Sequence, residues 1–317
     1  MRLVMMGTGP FAVPTFQRLF EARHAVVALV TGPRKWRGNK PVAASPLRDV
    51  AHQHGVTIYD PPDINTEEAQ QRLTGFQADL HVVCDYGQVL SAATLATARL
   101  GGINLHASLL PKYRGAAPIN WAIYHGEKET GVSVIHMTPR VDAGPVIAQG
   151  RTPIEDGETA EQLEARLAEI GSWLIHRVID TLGSGKPESL PQDSALASRA
   201  PRLKKTDGLI DWTCSAEAVR NHIRAFIPWP KSHTFWRRAG SAPLRLIVGP
   251  VEIAGDSPAR VQPGTVAEGD GNRVVVATGA GCVALSSLQP AGKREMDIRE
   301  FQLGYRLEPG DRFGPES

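Results

Sequence analysis

Cysteine is scarce in this 317-residue chain. There are three, Cys84, Cys214 and Cys282, odd in number and far apart. That spacing excludes a disulfide framework and a clustered zinc site, and it fits a reducing cytosol. Long apolar runs are missing too. None approaches the ~18 residues of a membrane-spanning helix. The run at 3–6 stops at Gly7, too short for a signal-peptide core. Net charge is nearly absent, with 35 basic against 33 acidic side chains, which excludes a uniformly basic nucleic-acid coat and leaves only local patches. No internal repeat or low-complexity tract appears. Hydrophobic residues make up 42% and charged ones 21%, so bulk disorder is excluded. The length predicts about two domains, each with its own core.

The first half alternates short apolar runs with helical spacing. Arg2–Met6, Ala25–Val30, Leu80–Cys84, 103–106 and 132–137 read as strands. Val13, Phe16, Leu19 and Phe20 recur at helical intervals, Ser45-Pro46 reads as a helix start, and Gly55 as its stop. Thr159 to Gln162 form a capping box opening a long helix with Leu163, Leu167, Ile170, Leu174 and Val178 on its apolar side. That helix is predicted to end before Gly183. The pattern predicts an α/β fold, a Rossmann-like and mostly parallel sheet with helices on both faces. After about residue 205 the texture becomes β-rich and glycine-punctuated, at 261–268, 273–278 and 282–288. A smaller OB-like β-barrel is predicted there. The domain boundaries are placed at 1–190 and 207–317, with a linker over 191–206.

Gly7-Thr8-Gly9-Pro10-Phe11-Ala12 lies between a strand and a helix and matches the dinucleotide fingerprint G-x-G-x-x-A. The ribose-holding acid is missing after the second strand, which ends at Val30-Thr31-Gly32-Pro33. The glycines therefore read as a tight strand-to-helix turn. Cys84 reads as a buried strand residue. His52 and His54 are two apart on a helix, so they face apart and make a poor metal site.

The informative stretch runs from Gly101 to Pro118. On a strand, Ile103 and Leu105 share one face while Asn104 and His106 share the other. The strand then breaks into a Pro- and Gly-rich loop, and sites in open α/β sheets form outside the carboxyl ends of strands. A paired amide and imidazole suit a developing oxyanion, and an imidazole can move a proton near neutral pH. Asp142, in Val141-Asp142-Ala143-Gly144, comes beside His106 if strand 132–137 neighbours strand 103–106. The bland alternative is a histidine satisfied by a backbone carbonyl at a strand end.

These residues carry a family likeness. Asn104, His106 and Asp142, with Ser108-Leu109-Leu110-Pro111 between them, resemble the signature of the folate-dependent formyltransferases. The resemblance implies that Asn104, His106 and Asp142 are catalytic. It implies that Ser108, Leu109, Leu110 and Pro111 bind the folate, and that Tyr86 and Gly87 flank the pterin pocket. It also implies 10-formyltetrahydrofolate as formyl donor and no metal. Asp85 departs from the family pattern, which carries a small apolar residue there.

The whole-chain pattern resembles the branch of that family that formylates initiator methionyl-tRNA. The carriers are the basic segment Thr31 to Lys40, Ile210-Asp211-Trp212 with Ile223 to Pro230, and Ser287 to Lys293. Amino-sugar nucleotide formyltransferases share the catalytic set and are the alternative. Charge agrees with a tRNA partner. Arg34, Lys35, Arg37, Lys40 and Arg48 stand in a stretch with no acid. Between Arg199 and Arg238 there are nine basic and three acidic residues. Such segments give phosphate affinity and steering. Arg37, Lys40, Lys204 and Lys205 are the tRNA-binding candidates, and a cytoplasmic monomer is expected.

Overall fold

The computed structural model describes residues 1–316, apart from 35, 39, 42–44, 186, 238–241 and 257–260; at 36, 37, 40 and 41 only the backbone is described. The chain divides into two compact units. The first comprises Met1–Pro118, Glu129–Pro153 and Leu163–Pro201; the second comprises Ile119–Lys128, Ile154–Gln162 and Arg202–Ser317.

In chain order the first part carries β1 (Arg2–Met6), α1 (Val13–Leu19), β2 (Ala25–Val30), a short hairpin of β3 (Trp36–Arg37) and β4 (Lys40–Pro41), α2 (Pro46–Gln53), β5 (Thr57–Tyr59), α3 (Glu67–Gly75) and β6 (Leu80–Cys84). Then come α4 (Ala92–Leu95), β7 (Gly102–His106), β8 (Arg114–Gly115), α5 (Pro118–Tyr124), β9 (Glu129–His136), β10 (Val146–Pro153), α6 (Ala160–Ser184) and β11 (Arg199–Ala200). The main sheet has the order β10-β9-β7-β6-β1-β2-β5. Its first five strands in sequence, β1, β2, β5, β6 and β7, pair in parallel, whereas β9 and β10 pair antiparallel. Every residue of β6, and all of β1 but Arg2, is buried. Burial on both faces explains why these strands read as unbroken apolar runs rather than alternating ones.

One face packs Val4, Met6, Val30 and Val83 against Leu73 and Leu95 of α3 and α4. On the other, α6 comes close enough that a Cβ on Gly171 would lie 2.6 Å from Leu105 Cδ2. The capping box at Thr159 forms in both directions: the Gln162 N–H donates to Thr159 Oγ1 and the Thr159 N–H to Gln162 Oε1. Two local expectations shift. Helix α6 continues through Gly183 to Ser184. Ser45 precedes α2 as expected, but its hydroxyl donates to the Thr8 carbonyl, 3.0 Å away, instead of capping the helix.

The second unit adds α7 (Ala216–Ala225), β12 (His233–Arg237), β13 (Leu244–Val248), β14 (Val251–Ile253), β15 (Val266–Gly269), β16 (Val274–Ala277), β17 (Cys282–Leu285), β18 (Ser287–Pro290), β19 (Met296–Asp297), α8 (Ile298–Tyr305) and β20 (Arg312–Gly314). These strands form two antiparallel sheets, ordered β19-β18-β13-β12-β20 and β14-β17-β16-β15. The apolar run at 282–288 is not one strand. It breaks at Ser286, where β17 belongs to one sheet and β18 to the other. The chain breaks likewise at Gly249-Pro250 between β13 and β14, and β13 pairs with β18 while β14 pairs with β17. Two neighbouring strands thus change sheet together, which bends the sheets into a barrel-like body. Trp212, Trp236, Leu246, Val276, Val283 and Phe301 fill its core.

Candidate active site at the end of β7

Strand β7 sits between β6 and β9 and points its carboxyl end at the loop 107–117. Ile103 and Leu105 are buried. Asn104 and His106 emerge on the same side, as the period of two requires. Strand β9 runs antiparallel beside β7, so it ends next to the start of β7, with His136 opposite Ile103. The loop 137–145 then folds back to bring Asp142 to Asn104 and His106. The Asn104 Nδ2 donates to Asp142 Oδ1 at 3.3 Å, and His106 Nδ1 lies 3.6 Å from the same oxygen. The other carboxylate oxygen accepts the Gly115 N–H at 2.9 Å. On its far side, His106 Nε2 lies 2.8 Å from the Tyr113 carbonyl. A carbonyl can only accept, so Nε2 carries a proton and Nδ1 is the nitrogen turned toward Asp142. The strand-end carbonyl of the bland reading is therefore present, but it occupies only one ring nitrogen.

Asp142 adopts a left-handed backbone, φ 49°. Such a conformation persists where surrounding bonds over-determine it. The Gln192 amide donates to the carbonyls of Asp142 and Gly144 at 2.8 and 2.7 Å. Gly144 has no room for a side chain, since a Cβ would sit 1.7 Å from the His136 carbonyl oxygen. The turn that presents the carboxylate is therefore fixed by packing and by hydrogen bonds.

Ser108, Leu109, Leu110 and Pro111 follow directly. Ser108 is fully buried, and its hydroxyl donates to the Lys112 carbonyl at 2.7 Å. Ser133 of β9 donates to the Ser108 carbonyl and accepts the Leu110 N–H, while the Gln149 amide donates to the Leu110 carbonyl. This stretch is a braced wall rather than a set of free donors. Leu109 leans over Gly131, where a Cβ would meet Leu109 Cδ2 at 2.6 Å.

The end of β6 is different. Tyr86 packs against the apolar cluster of Val83, Leu90 and Leu95, and burial raises its phenol well above the usual value. Gly87 is exposed with an ordinary φ, and nothing lies within 4 Å of a Cβ added there. Asp85 stands between the ends of β6 and β1, the switch point at which the strand order reverses. The Thr8 N–H and hydroxyl both bond to its carbonyl, at 2.9 and 2.6 Å. Its carboxylate accepts the Gly9 N–H, and a Cβ on Gly9 would lie 1.7 Å from Asp85 Oδ2. The second glycine of the fingerprint thus seats a carboxylate where a dinucleotide would place phosphate. The Asp85 carboxyl meets solvent on one side but is ringed by protein. Desolvation pushes it up to about 6 against the pull of the Gly9 N–H.

The basic candidates fall into different settings. The backbones of Arg37 and Lys40 pair on the β3–β4 hairpin, and their side chains, like all of Lys35 and Arg238, lie outside the described residues. Lys204 and Lys205 are exposed in the second unit. Two arginines from the charge runs are spent internally. Arg48 is buried, bonding the Gly32 carbonyl and Asp60. Arg224 is buried, donating to the carbonyls of Glu155 and Glu158. Sequence tallies count such charges as surface because they carry no information on partners. Among the described residues, no group of three His, Cys, Asp or Glu could hold a metal, and no helix is long and apolar enough to cross a membrane.

Residues 1–179 match the Formyl transferase family model, and residues 202–306 match Formyl transferase, C-terminal domain. The chain is 42% identical to a methionyl-tRNA formyltransferase of Rhodopirellula baltica over 99% of its own length and 96% of the relative's. It is 38% identical to one from Citrifermentans bemidjiense at the same coverages. Among solved structures it is similar to an N-formyltransferase of Helicobacter canadensis in complex with folinic acid and dTDP-3-aminofucose. There the TM-score is 0.67 and the identity 16%, covering 91% of this chain and 98% of that one. At that identity the likeness speaks for the fold alone.

Proposed function

The chain belongs to the methionyl-tRNA formyltransferase family, and from that membership we infer that it formylates the α-amine of methionine on initiator tRNA with a folate formyl donor. We assign that donor as 10-formyltetrahydrofolate, Asn104, His106 and Asp142 as the catalytic set, 1–190 as the catalytic domain and 207–317 as a tRNA-binding domain.

The observation that carries the reading is the convergence of Asn104 Nδ2 and His106 Nδ1 on a single anionic oxygen of Asp142. One strand thus aims an amide donor and an imidazole nitrogen at the same oxygen, the pairing that holds an oxyanion once the ring carries its second proton. The donor set also fits a folate formyl donor. Gly87 keeps an open approach that the fold itself does not require, and the braced 108–111 segment supplies an apolar wall. Tyr86 contributes by packing beneath its loop.

The formyl donor supplies an electrophilic carbonyl carbon. The methionyl amine forms its C–N bond to that carbon. Asn104 donates from Nδ2 to the oxygen gaining charge, and His106 donates from Nδ1 when its ring carries a second proton. Asp142 accepts the proton that the amine loses, and that proton returns to the departing folate nitrogen as its bond to the formyl carbon breaks. Lys204, Lys205, Arg37 and Lys40 supply phosphate contacts along the tRNA.

The test offers the protein 10-formyltetrahydrofolate with either methionyl-tRNA or an amino-sugar nucleotide. Formylation of the tRNA alone is the expected result. Formylation of the sugar alone would replace the acceptor assignment.

A further inference from the structure

Residues 190–200 run from the start of β10 to the catalytic loop and are bonded to β10 at one end and to the loop at the other. Leu190 exchanges backbone hydrogen bonds with Val146, each 2.8 Å. At the other end, Arg199 and Ala200 pair in parallel with Arg114 and Gly115. Between these anchors two side chains reach the site's supports.

Gln192 uses its whole amide. Its Nε2 donates to the carbonyls of Asp142 and Gly144, and its Oε1 accepts from Arg114 Nε at 3.1 Å and Nη2 at 2.7 Å. It thereby ties the turn carrying the Asp142 carboxylate to the loop carrying Tyr113 and Gly115. Ser198 acts on that loop. Its hydroxyl accepts the Tyr113 N–H at 2.9 Å, and its carbonyl accepts the Arg114 N–H at 2.9 Å. Tyr113 is left-handed, φ 60°, and its carbonyl is the group that holds His106 Nε2. Gly115, whose N–H holds Asp142, sits so close to this segment that a Cβ would lie 2.5 Å from the Ala200 carbonyl oxygen.

We propose that Gln192 and Ser198 are positioning residues for formyl transfer, Gln192 fixing the Asp142 turn and Ser198 fixing the carbonyl that orients His106. Neither touches the reacting atoms. Each acts through backbone groups that set the direction of a catalytic side chain. A displacement of about 1 Å in such a side chain is enough to cost a hundredfold in rate. The inference rests on the formyl-transfer reading and adds two residues to it.

The test uses the full chain. Gln192→Glu keeps the acceptor for Arg114 and loses both donors to the Asp142 turn. Ser198→Ala loses the hydroxyl, and Ser198→Thr keeps it. We expect Gln192→Glu and Ser198→Ala to lower kcat by roughly ten- to a hundredfold. KM for methionyl-tRNA and for the formyl donor should stay within about threefold, as for a change confined to the transition state. Ser198→Thr should restore kcat to near the parent value. His106→Ala is measured alongside. If it abolishes turnover while Gln192→Glu and Ser198→Ala leave kcat unchanged, or raise only KM, the positioning role is overturned and the formyl-transfer reading stands. If His106→Ala leaves turnover intact, the reading itself fails. Should Gln192→Glu not fold, the Ser198 pair decides, with an alanine variant as slow as expected but not rescued by threonine counting against the proposal.

Discussion

His81 stands near the start of β6 and His106 at the end of the adjoining strand β7. Both are buried, and both satisfy Nε2 with an oxygen: Thr97 Oγ1 at 2.9 Å for His81, the Tyr113 carbonyl at 2.8 Å for His106. They differ in where the strand places the rest of the ring. His81 lies at the amino end of the parallel sheet, opposite Gly102 and entirely enclosed. Burial there holds its pKa down to about 4. His106 lies at the carboxyl end, where loops gather, and its Nδ1 faces the Asp142 carboxylate oxygen that the Asn104 amide also reaches. A partner on one nitrogen does not separate a structural histidine from a chemical one. The second nitrogen does, and the end of the sheet decides what it meets.

The largest effect that could break this contrast is catalytic. His106→Ala should lower kcat about a thousandfold, and Asn104→Ala by about a hundred- to a thousandfold. His81→Gln should lower the melting temperature with kcat nearly unchanged. Steady-state formylation and thermal melts check both, and a His81 variant losing turnover without losing stability would erase the distinction.

The next effect is on acid stability. His81 and His222 both have folded pKa values of about 4, each lowered chiefly by burial. Their unfolded values lie near 6.5, so the unfolded chain binds more protons between those limits. The stability they contribute is full above pH 6.5 and is lost as the pH falls toward 4, up to about 3 kcal/mol each. Asp85 works the other way, because its folded value is raised; its contribution is present below about 3.8 and lost as the pH rises through 6. Two enclosed imidazoles outweigh one partly exposed carboxyl. Denaturant melts should therefore show falling stability from pH 6.5 to 4, and a flat profile would overturn the account.

Arg37→Ala is expected to raise KM for tRNA severalfold and to reduce the salt slope of binding by about one. An unchanged slope would mean that Arg37 contacts no phosphate. The smallest effect belongs to Asp85. Asp85→Asn should raise the melting temperature by about 2 °C at pH 7.5 and leave it unchanged at pH 4. It keeps an acceptor for the Gly9 N–H and removes a charge that the crevice disfavours. A fall at pH 7.5 would mean that the charge is supported there by a stronger interaction than the Gly9 N–H.

The parallel sheet was legible because its strands are buried on both faces and are separated by helical spacing. The catalytic strand was legible because Asn104 and His106 share a face by local geometry. Ser45 misled because a good capping residue found a stronger partner in the Thr8 carbonyl. The run at 282–288 misled because the break at Ser286 follows from the bend shared by two strands rather than from any turn residue. Strands β12, β13 and β14 gave little signal, since they are three to five residues long and their pairings join distant segments. Gln192 and Ser198 gave none. Their bonds reach across 50 and 85 residues to backbone groups, and a backbone group leaves no trace in the sequence.

By itself the sequence determined the two-part architecture, the family, and the residue types that chemistry at the end of β7 requires, because periodicity and residue chemistry are local properties. Only the tertiary structure decided which oxygen Asn104 and His106 share and that Gly9 seats a carboxylate. It alone showed that Arg48 and Arg224 are spent inside and that residues 190–200 brace the site. Each of those depends on distant backbone segments coming within hydrogen-bond reach, and that proximity exists only once the chain has folded.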